Sequence, residues 1–144
     1  MLKKALFLGI VSGLLAGIAG LVYARVYYTA NEADFSKVAS SVRIISSSLF
    51  GGVLAAIGYT ILIRLLKTRG EIVFNLLFTL LSFASLLLPI AFKLPLNIET
   101  PELFPGMVIP MHFFPALGWY TLKPLFINAP EIRPRKNSSS PANG

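Results

Sequence analysis

Apolar positions run along this chain in four long blocks separated by short polar breaks. Residues 5–24, 44–63, 72–92 and 103–122 contain no Asp, Glu, Lys or Arg. Each block is about 20 residues long, and an α-helix rises about 1.5 Å per residue, so each could cross a hydrocarbon core of roughly 30 Å. Within the blocks apolar residues occur on every side of the helix, as expected where the solvent is lipid. The pattern predicts an all-α, four-helix transmembrane bundle with its fourth helix interrupted by proline.

The breaks set the boundaries. The first helix is expected from residue 5 to about 28, with Tyr23, Tyr27 and Tyr28 as an interfacial aromatic belt. A polar loop of mixed charge follows at 29–41, then a second helix over 42–66. Residues 67–70 read as a tight turn that ends on a helix-stopping Gly70 and forces an antiparallel hairpin. The third helix is expected from Glu71, whose carboxylate suits a helix N-terminus, to residue 92. A proline-rich loop at 93–105 leads to the fourth span, which carries Pro110 and Pro115. Each of these prolines lacks an N–H and should free the carbonyl four residues earlier, kinking the helix, unless Pro110 is itself the first helical residue. Residues 1–126 form one expected transmembrane domain. Residues 127–144 read as a disordered, basic cytoplasmic tail.

Composition agrees with these spans. The chain is 55% hydrophobic and 13% charged, with mean hydropathy +0.72, too little charge to cover a soluble surface. The formal charge of +7 would suggest nucleic acid on a soluble protein. Here the cations cluster at span ends, so no nucleic-acid partner is expected. Nine of the 13 Lys and Arg fall on one side: Lys3, Lys4, Arg64, Lys67, Arg69, Lys123, Arg133, Arg135 and Lys136. Arg25, Lys37, Arg43 and Lys93 fall on the other. The positive-inside rule then puts both termini in the cytoplasm, with a bacterial inner (plasma) membrane as the expected location. A cleaved signal peptide is the competing reading of the start, since Lys3-Lys4 and Val22-Tyr23-Ala24 resemble its basic end and cleavage site. The apolar run is longer than such peptides carry. The absence of cysteine removes disulfides and thiolate metal sites.

The sharpest pattern within a span is a run of small residues in steps of four: Ala5, Gly9, Gly13, Gly17. Such steps stay on one helix face and let another backbone approach closely. The second helix has a matching stripe, Ser48, Gly52, Ala56 and Thr60, with Ser47, Gly51 and Ala55 beside it. Two uses follow: packing of the first helix on the second, or a dimer through the glycine face.

Candidate chemistry is sparse. His112 is the only histidine, with Met107 and Met111 nearby and Glu99 and Glu102 just before. Thioethers with imidazole suit Cu(I), and carboxylates with imidazole suit a harder divalent ion. The competing reading is an interfacial histidine that bonds a freed carbonyl, and no metal or cofactor is expected. No carboxylate lies inside a span, and no nucleophile–base spacing or phosphate-binding loop occurs, so no enzyme is expected. Small four-helix multidrug exporters share this size and span count, but their membrane-embedded glutamate has no counterpart in the first span. The expected function is that of an accessory or structural subunit acting by intramembrane helix contacts, with the lipid bilayer and a larger membrane protein or a second copy as partners. The alternative is a small oligomeric transporter or channel, with Arg25 and Arg43 at an anion entrance.

Overall fold

A computed structural model describes residues 1–91, 93–94 and 100–127. The described residues form α1 (Leu2–Asn31), α2 (Ser41–Leu66), α3 (Gly70–Ala84), the short α4 (Leu87–Ala91) and α5 (Phe104–Phe126), with single 3₁₀ turns at Lys67–Arg69 and Pro101–Leu103. No strand occurs among them. Two helical runs are long and apolar enough to cross a membrane: Leu2–Asn31, and Ser41–Ala91, which takes in α2, α3 and α4. The α5 helix, with Pro110, Pro115 and Pro124 inside it and His112 on it, is not among them.

Contacts give the helix directions. Gly9 meets Gly52, Gly13 meets Ser48 and Gly17 meets Ile45, so α1 and α2 are antiparallel. Tyr59 meets Phe74 and Leu62 meets Gly70, so α3 runs back along α2. Phe7 touches Phe126, and Tyr27 bonds Leu103, so α5 is antiparallel to α1. Lys123 pairs with Glu71 and Phe113 touches Phe83, so α5 is antiparallel to α3 as well. The α1–α2 and α1–α5 pairs carry most of the packing, whereas α2 and α3 touch mainly near their shared turn.

Three boundaries depart from expectation. The expected third helix stops at Ala84 and resumes only as α4. Pro89 explains the break: its ring would clash with the carbonyl of Ser85 and it has no N–H to offer. At the hairpin turn the positive-φ residue is Lys67, at φ 47°, while Gly70 is right-handed and starts α3. Gly70 is needed for proximity, because a Cβ there would lie 2.8 Å from the Cα of Ile63. The fourth helix begins at Phe104, and Pro110 and Pro115 lie within its continuous run.

The loop expected to be polar also carries part of the core. Glu32 closes α1 in the left-handed conformation, at φ 52°, and the chain turns so that Ala33 and Phe35 are buried. Phe35 packs edge-on against Phe104, with Tyr28 and Met107 in the same cluster. Asp34 accepts the Ser36 N–H at 2.8 Å. That bond, with Lys37 and Arg25 nearby, holds the Asp34 carboxyl below the ordinary carboxylate range.

Candidate functional site

The seam between α1 and α2 is built backbone to backbone. A Cβ on Gly9 would overlap the carbonyl oxygen of Gly52, and one on Gly52 would overlap that of Gly9. A Cβ on Gly13 would lie 2.8 Å from the Ser48 oxygen and 2.9 Å from the Leu49 Cα, and one on Gly17 would lie 3.1 Å from the Ile45 Cα. Ala56 is fully buried opposite Gly9. Gly9, Gly13 and Gly17 are all buried within this one chain, so their face is already covered by α2.

Two tyrosines of α1 bond backbone carbonyls at the start of α5, one of them freed by a proline. Pro110 cannot donate to the carbonyl of Gly106, and the Tyr23 hydroxyl donates to that oxygen at 3.1 Å. One turn on along α1, Tyr27 donates to the Leu103 carbonyl at 2.7 Å. Gly106 makes room for this, since a Cβ there would sit 2.7 Å from the Tyr27 oxygen. Two of the three tyrosines read from sequence as an interfacial belt therefore bond across to the start of α5. Deeper in the structure, Gly118 rests on Ser12, 3.1 Å from a built Cβ to the Ser12 oxygen.

At the end that carries the Lys67–Arg69 turn, an aromatic cluster locks α2, α3 and α5. Tyr59, Phe74 and Trp119 are buried with ring centroids 5.2–5.7 Å apart. The Tyr120 hydroxyl bonds the Asn75 carbonyl at 2.9 Å and the Thr79 hydroxyl at 3.1 Å. Lys123 reaches Glu71 at 2.6 Å and lies 5.2 Å from the centroid of the Tyr59 ring. With only 12% of its side chain exposed, Lys123 is held by a carboxylate and a π-face together. Sequence reading assigned these two charges to a helix start and to the charge bias. The i, i+4 spacing of Phe74 and Phe78 and of Trp119 and Lys123 was the available signal for one shared end, but only the fold pairs the helices.

Above this cluster α2 and α3 diverge and leave a crevice of about 740 Å³, backed by α5. Its walls near the turn are apolar, formed by Leu62, Gly58, Leu54, Phe74 and Leu77. Its far end mixes polar and apolar residues: Arg43, Ser47, His112, Ser82 and Ser85 lie there beside Val38, Ile44, Phe104 and Met111, so the polar groups gather at this end only. Ile44 and Met111 both flank Gly20, and Phe83 stacks edge-on with Phe113, which fixes Arg43, His112 and the α3 serines at this same end. The serine hydroxyls are turned to their own helices: Ser47 to Ile44, Ser82 to Phe78, Ser85 to Ser82. Arg43 stands at the mouth. Its Nη1 donates to the carbonyls of Lys37 at 3.0 Å and Val38 at 2.7 Å, which anchors the guanidinium on the loop. The lone ion pair among the described residues is Lys123–Glu71, so no described carboxylate neutralises Arg43.

The other candidate ligands are dispersed. The His112 Nδ1 donates to the Val108 carbonyl at 2.9 Å, and in a neutral ring this tautomer leaves Nε2 as an acceptor. Met107 is fully buried among Phe35, Phe104 and Ile44, and Met111 packs against the same cluster. Glu102 is exposed on the 3₁₀ turn, and Glu99 lies outside the described residues, as do residues 128–144 of the expected tail. Among the described residues no group of three or more His, Asp or Glu could hold a metal ion. No protein-family model, curated protein or solved structure matches this chain.

Proposed function

We propose that this chain is a small integral membrane protein without catalytic activity, a four-helix bundle whose spans are α1, α2, α3 with α4, and α5. It works as an accessory or structural subunit through helix contacts inside the bilayer. One observation carries this reading. In the apolar run Ser41–Ala91 only 11% of the most apolar window is buried, whereas a core helix in a soluble protein would be mostly covered. On α3 the outward residues Ile72, Leu76 and Leu80 follow one another in steps of four and are all exposed. In water such a stripe would drive aggregation; in lipid it is an ordinary surface for acyl chains or for a helix of a larger partner.

Charge supports both termini facing the cytoplasm. Lys3, Lys4, Arg64, Lys67, Arg69 and Lys123 gather at one end of the helices, and Arg25, Lys37 and Arg43 at the other. The α5 helix carries three internal prolines, and the Gly106 carbonyl that Pro110 leaves without a helical donor is covered by Tyr23 of α1, as a proline-bearing membrane helix requires.

Two measurements test this reading. The full chain should stay in the membrane pellet after an alkaline carbonate wash, and a photo-crosslinker at Leu76 or Leu80 should capture one stoichiometric partner. Recovery of the chain as a monodisperse, detergent-free species sinks the membrane assignment. Crosslinks to lipid alone at both positions sink the subunit role.

A further inference from the structure

Resting on the reading that the chain is embedded in a bilayer, we propose that the α2–α3 crevice binds one anionic glycerophospholipid, with an acyl chain along its apolar walls and the phosphate on Arg43. The crevice has the polarity gradient of such a molecule. From Ser47 to Leu62 the apolar slot is about 22 Å long at the helical rise, more than the roughly 15 Å of one leaflet's hydrocarbon. Its volume of about 740 Å³ falls in the range of sites that hold single small ligands, roughly 300–1,000 Å³.

Arg43 provides the charge complementarity. Its Nη1 is occupied by the Lys37 and Val38 carbonyls, and this fixes the guanidinium at the mouth while Nη2 and Nε remain for phosphate oxygens. No described carboxylate competes for it. The His112 Nε2, at the same end, can accept from a hydroxyl of the headgroup. A glycerol headgroup satisfies both contacts, whereas a choline headgroup brings a cation toward Arg43 and has no hydroxyl to donate.

The test uses the full chain in mild detergent, supplied with equal amounts of phosphatidylglycerol and phosphatidylcholine, with lipid adducts counted by native mass spectrometry. The wild-type chain should retain one phosphatidylglycerol in preference to phosphatidylcholine. Arg43→Gln should lower that preference about tenfold, the scale of one charge-assisted contact. Gly51→Trp should abolish the adduct by filling the slot. It should fold, because nothing lies within 4 Å of a Cβ at Gly51, and a monodisperse, helical protein is the check. Lys67→Gln, which removes a cation at the opposite end, should change nothing.

An unchanged lipid ratio in Arg43→Gln overturns the inference, as does a retained adduct in Gly51→Trp. So does an equal loss in Lys67→Gln, which would mean general attraction to a basic protein. If Gly51→Trp instead breaks an oligomer, a second copy is the occupant and the lipid is not. Each of these failures leaves the carbonate-resistant chain in the membrane, whereas loss of that resistance removes the underlying reading itself.

Discussion

Helix α2 presents two adjacent stripes of small residues, and the two meet different fates. Ser48, Gly52 and Ala56 close against Gly9 and Gly13 of α1 until backbone touches backbone. Ser47, Gly51 and Ala55, a fraction of a turn away, line an open crevice, and a Cβ at Gly51 would touch nothing within 4 Å. A small-residue stripe is therefore permission for close approach and not a cause of it. Closure needs a second small stripe in register, since dispersion falls off steeply with any gap. The α1 helix offers one. The α3 helix offers Phe74, Leu77, Phe78 and Leu81 instead, and its Phe74 ring, wedged against Tyr59 and Trp119, anchors it near the turn and lets it diverge beyond. Away from that anchor α3 is tied to α5, through Tyr120 and Phe113–Phe83, and Lys123–Glu71 adds a tie near the turn.

The largest effect that would break this contrast is at the seam. Gly13→Leu or Gly52→Leu must separate α1 from α2, and each should cost about 3 kcal/mol or more, the upper range for overpacking. A disulfide introduced between the two helices, formed in the parent and lost in the variant, reads the separation directly. Next is the locked end. Lys123→Met removes the ion pair and the Tyr59 contact and should cost about 1–2 kcal/mol in thermal unfolding followed by helical circular dichroism in micelles. The half-exposed Glu71 keeps the figure from being larger.

Tyr23→Phe should cost about 1 kcal/mol, since the Gly106 carbonyl freed by Pro110 loses its donor. Restoring a native donor with Pro110→Ala in the same chain should recover much of that loss. The smallest effect of all sharpens the comparison best: Gly51→Leu should lie within about 0.5 kcal/mol of wild type, as for a substitution away from packed contacts. A loss at Gly51 as large as at Gly52 would mean that the crevice is closed in the folded protein.

Asp34 adds a pH-dependent detail. Its folded pKa is depressed, so the stabilisation it gives the 32–40 loop is present above the unfolded carboxylate value and is lost as pH falls through the folded one. Hydrogen exchange of the Ser36 amide should quicken relative to its intrinsic rate on acidification, and Asp34→Ala should remove that dependence.

Much of the local architecture could be read residue by residue. The edges of α2, the antiparallel hairpin and the small-residue steps of α1 follow from charge-free blocks, a short polar turn and a period of four. Pro89 was equally visible, yet it sits in an apolar run where hydropathy masks it, and it ends α3 early. Phe35 was concealed by charged neighbours that suggested a solvated loop, although the left-handed Glu32 turns it inward. The crevice left no signature, because Arg43, Ser47, Ser82 and His112 come from three helices and each has an unremarkable local reading.

The amino-acid sequence alone determined the approximate extent of α1 and α2, how apolar the helices are and which faces permit close contact, because these depend on backbone propensity, charge and a fixed helical period. Only the tertiary structure decided which permitted face closes, which charge finds a partner and which tyrosine covers a proline's orphaned carbonyl. Those outcomes depend on the shape and register of a second helix distant in the chain, and no single stretch of residues contains that information.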